Sequence, residues 1–245
     1  MSDVFLGAWR TVVPEHGERH GPLAPLLLLL TLITGFVDAY SYLVLGHVFV
    51  ANMTGNVVFC GFAIAGTGAF SLPASITALV AFAAGALVGG RAAQSRREHR
   101  GRLLHLAVVM EIVLVAVAYA VAGSTDPTVD VGSRYALICL LGLAMGVQNA
   151  SARALAVPDL TTTVLTMTIT GASADSRAAG GQGGKTGRRL LSVLTMFVGA
   201  LIGALAVRHG HPSVSLLVAL LLLLGASVFT SRQVDSSEPW VTPVG

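Results

Sequence analysis

The sequence contains little charge and almost no lysine. Of its 245 residues, 11% are charged and 54% are hydrophobic, and the mean hydropathy is +0.77. Soluble domains carry about 25% charged residues, so this composition excludes an ordinary soluble protein and predicts an integral membrane protein. All basic residues except Lys185 are arginines, and most lie between apolar stretches. This placement indicates membrane orientation and argues against a nucleic-acid partner.

Signatures of cofactor or catalytic chemistry are also scarce. The two cysteines, Cys60 and Cys139, each stand alone in an apolar run and are expected to be small buried hydrophobes. Residues 179–186 resemble a phosphate-binding loop but lack its first glycine, and no strand is predicted before them. His209 and His211 supply only two of the ligands that a metal site needs. We therefore expect no cofactor, no metal and no catalytic residue.

Long apolar segments dominate the chain. Most approach the ~20 residues needed to cross ~30 Å of hydrocarbon, and the strong ones cover about 22–46, 74–92, 103–123, 135–157, 189–208 and 213–230. Two weaker stretches, 52–69 and 160–172, are shorter or rich in Gly, Asn and Thr. The pattern predicts an all-α polytopic membrane helix bundle with about six spanning helices and two broken or re-entrant segments.

The distribution of arginine distinguishes six crossings from eight. With six crossings that start inside, the cytoplasmic parts hold twelve basic residues and the outside holds two. With eight crossings the division becomes eight against six, because the cluster at 91–102 moves outside. The positive-inside rule favours six crossings, with both termini in the cytoplasm. Eight crossings remain an alternative, since 52–69 is long enough to cross.

The two ends of the chain are expected to lie outside the membrane core. Residues 1–21 begin with an apolar stripe that includes Phe5 and Trp9, which predicts a short interfacial helix ending at Pro14. A disordered tail is the alternative for this segment. Residues 231–245 are predicted to form a cytoplasmic tail.

The second half of the chain repeats features of the first. Three matches occur in the same order, at offsets of 111, 112 and 114: Gly35–Ala39 with Gly146–Ala150, Thr54–Asn56 with Thr166–Thr168, and Gly85–Gly89 with Gly199–Gly203. They divide the membrane part into repeats at 22–123 and 135–230. Three crossings per repeat would place the second copy upside down relative to the first. Inverted repeats of this kind are typical of secondary transporters, whose sites lie near the midplane.

Asp38 is the principal candidate for a functional residue. It lies in the first apolar segment, where a charge costs at least about 2.5–3.5 kcal/mol, and it shares a helix face with Gly35 and Tyr42. One hypothesis makes it a proton or cation site, or the counter-charge for a cationic solute. The other makes it a neutral carboxyl that only joins helices by hydrogen bonds.

Further candidates lie in the polar breaks that follow. Asn52, Thr54 and Asn56 in the first repeat, and Thr163 and Thr166 in the second, can coordinate an ion or bind a polar solute. The alternative is that they only hold helices together.

The repeat also predicts counterparts of Asp38 in the fourth strong segment. Gln148, Asn149 and Arg153 are included as candidates, with Asn149 at the position equivalent to Asp38. Arg153 could pair with Asp38 or extend to the lipid headgroups. Glu111 is a possible second buried acid, but no residue of the other repeat matches it.

Glycine pairs at GxxxG spacing predict close helix packing. They are Gly85 and Gly89, Gly142 and Gly146, and Gly199 and Gly203. Such faces join helices within one bundle or between the subunits of a homo-oligomer.

The stretches TGFVDAYSYLVLGHVFVANMTGN and GLAMGVQNASARALAVPDLTTTVLT resemble the two characteristic stretches of the YoaK family of bacterial membrane proteins. The resemblance covers roughly residues 22–230. It implies an inner-membrane protein and supports six spans, but it implies no substrate or site. The second stretch departs from the pattern where Met167, not glycine, follows Thr166.

Three function classes remain after these observations. The first is a small-solute permease that lies in the lipid bilayer, transports an unidentified solute and is coupled to protons through Asp38. The second is a structural or partner-binding membrane subunit. The third is an intramembrane enzyme, which would need a second catalytic group facing Asp38, so we expect no enzyme.

Overall fold

The computed structural model describes residues 2–14, 18–126, 128, 130–158, 160, 165–175, 179–180 and 186–242. These residues form helices and connections without a strand. The α-helices are α1 (Ser2–Val12), α2 (Leu23–Val44), α3 (Met53–Ile64), α4 (Leu72–Ser95), α5 (Arg100–Ser124), α6 (Val131–Leu155), α7 (Leu165–Ala174), α8 (Thr186–Arg208) and α9 (Pro212–Ser231).

Six helices within the described residues are long and apolar enough to cross a membrane, namely α2, α4, α5, α6, α8 and α9. The predicted all-α membrane bundle is confirmed. The strong apolar segments correspond to these helices, with ends that differ by a few residues. The shorter helix α3 lies within the first weak stretch, and α7 begins within the second and ends two residues beyond it.

The helices α2 and α6 form the centre of the bundle. Most residues in their apolar windows are buried, 83% in α2 and 61% in α6, against 17–33% in the other four long helices. A helix that is apolar all round is expected in the interior. In α2 this interior location explains how a polar residue such as Asp38 is tolerated in a segment of mean hydropathy 1.9.

Two close crossings join these central helices to their neighbours. At Gly85 in α4, an added Cβ would lie 2.1 Å from the carbonyl oxygen of Leu143 in α6. At Gly199 in α8, an added Cβ would lie 2.2 Å from the carbonyl oxygen of Leu32 in α2. Only glycine fits at such distances, so each crossing brings two helix backbones into contact.

One end of the bundle, which we call the basic end, collects the chain termini. The buried Arg100 at the start of α5 donates hydrogen bonds to the carbonyl oxygens of Leu155 at the end of α6 and of Trp240 in the C-terminal tail. Arg188 of α8 contacts Thr11 of α1, with 3.4 Å between Nε and Oγ1. The basic end therefore contains the starts of α2, α5 and α8 and the ends of α4, α6 and α9.

His20 belongs to the same end. Its Nδ1 lies 3.3 Å from Nη2 of Arg100. Burial, followed by the neighbouring charges of Arg100, Arg188 and Arg19, lowers the pKa of His20 below its usual value. A neutral His20 ring can therefore accept a hydrogen bond from Arg100.

Candidate functional site

The chain turns back into the bundle after α2. Gly46 and His47 have φ angles of 90° and 58°, and these left-handed conformations reverse the chain just beyond Val44. Such a conformation is ordinary for glycine and uncommon for histidine. The segment 45–52 contains this reversal, and four of its apolar side chains are buried: Leu45, Val48, Val50 and Ala51.

Asp38 holds this returning segment in place. One of its carboxylate oxygens, Oδ1, accepts hydrogen bonds from the backbone N–H groups of Val50 at 3.2 Å and Ala51 at 2.9 Å. The side chain is 4% exposed. Non-helical backbone at membrane depth needs partners for its polar groups, and Asp38 supplies one acceptor for two such donors.

Asn56 performs a similar role for Phe49. Its Oδ1 accepts from the backbone N–H of Phe49 at 3.0 Å, and its Nδ2 donates to the carbonyl oxygen of Phe49 at 2.6 Å. Asn56 is fully buried. The side chain therefore replaces the backbone partner that Phe49 would have in a helix, and it fixes the segment before α3.

A half-open cavity of about 570 Å³ lies beside Asp38. Asp38 lines it together with residues 51–55, which are the end of the returning segment and the first turn of α3. The remaining lining consists of apolar side chains and one threonine from four helices: Val58, Phe59, Phe82, Thr166 and Met196. The N-terminus of a helix carries backbone N–H groups and a partial positive charge. The cavity thus combines a carboxylate, a helix N-terminus, hydroxyl groups and apolar walls, which suits a small polar solute.

Equivalent positions of the two halves of the chain face this cavity. Thr54 and Thr166 are related by an offset of 112, and Phe82 and Met196 by an offset of 114. These are the offsets at which the sequence motifs recur. Other lining residues have no such partner, since neither Asn149, the counterpart of Asp38, nor Met167, the counterpart of Gly55, lines the cavity.

The two short helices leave the cavity in opposite directions. The start of α3 lines the cavity, and its chain continues to Phe70, whose ring lies 6.3 Å from that of His47 at the end opposite the basic end. Thr166 of α7 lines the cavity, and α7 leads to Asp175, which pairs with Arg189 at 2.6 Å at the basic end.

The structure brings together some of the predicted site residues and separates others. Asp38, Asn52, Thr54 and Thr166 line the cavity. Thr163 lies outside the described residues.

The fourth-segment candidates lie elsewhere. Gln148 is buried and donates to Oγ1 of Thr34 at 2.7 Å, and Nδ2 of Asn149 donates to the carbonyl oxygen of Met145. Arg153 is exposed in the last turn of α6. A pair between Arg153 and Asp38 does not occur among the ion pairs of the described residues.

Tyr42 belongs to an aromatic cluster at the side of the site. Its ring stacks on Phe49 at 4.8 Å, Phe49 stacks on Phe59 at 5.8 Å, and Phe59 stacks on Phe70 at 4.6 Å. Phe59 also lines the cavity. Sequence analysis missed the role of these phenylalanines. Four of the nine phenylalanines lie between residues 49 and 70, around the first polar break. This enrichment was the available sequence signal for the aromatic cluster.

The site offers little for a metal or for catalysis. Among the described residues, no group of three His, Cys, Asp or Glu side chains could hold a metal ion. Asp38 is the one acid or base among the described lining residues. The arrangement is suited to binding.

Comparisons with known proteins agree with the membrane architecture. The family described as "Protein of unknown function (DUF1275)" matches residues 26–229. The UPF0700 transmembrane protein YoaK of Bacillus subtilis (strain 168) is 35% identical over 144 residues. That alignment covers 59% of this chain and 63% of the relative, so the matched part spans less than two thirds of the relative's length. No solved structure matches the chain.

Proposed function

The chain belongs to the DUF1275 family, and on that premise we propose that this integral membrane protein is a small-solute permease with its binding site at Asp38. The observation that carries the proposal is the cavity, because equivalent positions of the two halves meet there around a single carboxylate. Transporters with inverted repeats bind solutes where broken helices of the two repeats meet.

The repeat is the first support for this proposal. In both halves, the third element packs on the first element of the other half through a glycine at an equivalent position, Gly85 against Leu143 and Gly199 against Leu32. The short helices α3 and α7 start at the same cavity and run to opposite ends. Opposite directions at equivalent positions are what an inverted repeat predicts.

Proton coupling through Asp38 is the second part of the proposal. The carboxylate lies six residues before the end of α2, about 9 Å from that end at 1.5 Å per residue. Protonation would remove its charge from the cavity and weaken its acceptance of hydrogen bonds from Val50 and Ala51. Binding of a proton and the position of the re-entrant segment would thus be linked.

The alternatives receive less support from the site. A partner-binding subunit would present an exposed apolar groove without a polar cavity. An intramembrane enzyme needs a second acid, base or nucleophile facing Asp38, and the described lining offers only threonine hydroxyls besides the carboxylate.

The test is uptake in a deletion strain that carries the wild type, Asp38→Asn or the control Glu98→Gln. The panel would contain amines, amino acids, sugars and inorganic cations, with and without a protonophore. We expect Asp38→Asn to lower uptake of the transported solute by about 10–100-fold, since a hydrogen bond to a charged group is worth about 1.5–3 kcal/mol. Glu98 is exposed, so its variant should resemble the wild type. Identical uptake by all three proteins across the panel would remove Asp38 from the mechanism.

A further inference from the structure

Glu111 is a second buried carboxyl, separate from the cavity. It is the twelfth of 25 residues in α5, so it lies near the middle of the bundle. The residue is fully buried, and both carboxylate oxygens lack a hydrogen-bond partner in the described structure. Isolated buried carboxylates are costly, and a carboxyl in this setting is more stable when it is protonated.

The helices packed on α5 offer no counter-charge at this depth. The other titratable residues of α5 itself are Arg100, Arg102, His105 and Tyr119. The helix contacts α4, α6, α9 and the turn at Pro239–Val241. The titratable residues of these elements are Arg91 of α4 and Arg134, Tyr135, Cys139 and Arg153 of α6, and none of them is buried. The buried polar side chains on α4, α6 and α9 are hydroxyl or amide groups: Ser75, Ser133, Gln148, Ser151, Ser215 and Thr230.

A buried hydrogen-bond acceptor that lacks a donor lies on α6. The side chain of Arg100 contacts the carbonyl oxygen of Leu155, so the start of α5 lies beside the end of α6. Counting from this contact along the antiparallel pair places Glu111 near the level of residue 144, to within about one helical turn. Gln148 is about one turn away, ~6 Å along the helix, and its Oε1 is also buried without a partner. A protonated Glu111 would supply the donor that this oxygen lacks.

The amide of Gln148 connects this position to the helix of Asp38. Its Nε2 donates to Oγ1 of Thr34 at 2.7 Å, and that hydroxyl donates to the carbonyl oxygen of Leu30. Thr34 lies one turn before Asp38 on α2. A proton on Glu111 can therefore influence α2 through a short chain of hydrogen bonds.

We propose that Glu111 is a proton-binding site, held as a carboxylic acid between α5 and α6 and linked through Gln148 and Thr34 to α2. This site does not depend on solute transport. Loss of the proton would leave an unpaired charge among apolar helices, so release of the proton requires α5 and α6 to separate or to admit water. Glu111 thereby couples proton exchange to the packing of these two helices.

Infrared difference spectroscopy on the full-length protein in lipid tests the proposal. The wild type minus Glu111→Gln should contain the C=O stretch of a protonated carboxylic acid at neutral pH, and the band should shift when H₂O is replaced by D₂O. Gln148→Leu should move the band to higher frequency, because the carboxylic acid loses its acceptor. The band should persist in Asp38→Asn, and the matched difference for the exposed Glu98→Gln should contain only bands of an ionised carboxylate.

Three results would overturn the proposal. A wild type minus Glu111→Gln difference with only carboxylate bands would mean that Glu111 is ionised. A protonated band that does not shift in D₂O would mean that the proton never exchanges. A band unchanged by Gln148→Leu would remove the link to α2. If Glu111→Gln does not fold, two measurements on otherwise wild-type protein still test the proposal. They are the shift of the protonated band in D₂O and the shift of the same band on Gln148→Leu.

Discussion

Asp38 both bonds to backbone groups and borders a cavity. Its Oδ1 accepts hydrogen bonds from Val50 and Ala51, which lie in the segment that returns into the bundle, while the side chain also lines the cavity. A carboxylate that only capped backbone groups would not need to border a cavity. A carboxylate that only bound a solute would not need two backbone donors. Substitutions can separate these two roles.

Asparagine and alanine at position 38 should have different effects on stability. Asp38→Asn keeps an acceptor oxygen for Val50 and Ala51 and should remain close to the wild type in thermal unfolding. Asp38→Ala leaves buried donors without an acceptor and should lower the free energy of unfolding by about 1–3 kcal/mol. Thermal unfolding of the detergent-solubilised variants, with Glu98→Gln as the control, measures the change in stability for both substitutions. Equal destabilisation by asparagine and alanine would show that the fold requires the charge and not the acceptor.

Individual candidate residues could be picked out from the sequence where a polar side chain interrupts an apolar segment. Polar groups are rare in apolar segments, and this made all the candidates stand out. Asp38, Asn52, Thr54 and Thr166 line the cavity, whereas the other described candidates do not: Tyr42, Asn56, Gln148, Asn149 and Arg153. Phe59 and Met196 did not stand out, since apolar side chains are ordinary in a membrane helix. Their place in the cavity depends on helix packing, which a single sequence does not encode in its local pattern.

The close helix crossings depend on glycine in two elements, α4 and α8. An added Cβ at Gly85 or Gly199 would meet a backbone carbonyl oxygen at 2.1 or 2.2 Å, and backbone cannot move aside as a flexible side chain can. The length and hydropathy of these helices predicted that they span the membrane. The repeat and the GxxxG spacing predicted close packing but not which helices would meet.

Gly85→Ala and Gly199→Ala should therefore destabilise the protein by similar amounts. Overpacking of this kind costs about 1–3 kcal/mol, and thermal unfolding in detergent should report it for both variants. Gly90→Ala is the matched control in α4, because an added Cβ there meets no atom within 4 Å. Unchanged stability of Gly85→Ala alone would mean that the two crossings are not equivalent.

At the scale of the whole molecule, the distribution of arginines and the contacts between helix ends indicate the same two ends of the bundle. The ends of α4, α6 and α9 meet the starts of α2, α5 and α8 at the basic end, which also contains the cluster at 91–102. Arg134 at the start of α6 and Arg208 at the end of α8 lie at the other end. The arginine count along the chain leads to the same division, because a short polar connection places its charges on one side of the bundle.

We expect the basic end to face the cytoplasm, and two single cysteines test this expectation. In a background with Cys60 and Cys139 replaced, Ser95→Cys and Thr67→Cys would be labelled in intact cells with a membrane-impermeant maleimide. Residue 95 ends α4 at the basic end, and exposed residue 67 lies between α3 and α4 at the other end. We expect labelling of Thr67→Cys in intact cells and of Ser95→Cys only after permeabilisation.

For a chain that starts in the cytoplasm, the two cysteines distinguish six crossings from eight because the locations of residues 67 and 95 would exchange. If 52–69 crossed the membrane, residue 67 would lie inside and residue 95 outside, and the labelling pattern would be reversed. A re-entrant segment returns to the side from which it entered, so it leaves residue 67 outside. The positive-inside rule requires the arginines beside residue 95 to face the cytoplasm. Labelling of both positions in intact cells would contradict both arrangements, since α4 is long enough to separate them by a full membrane thickness, about 30 Å.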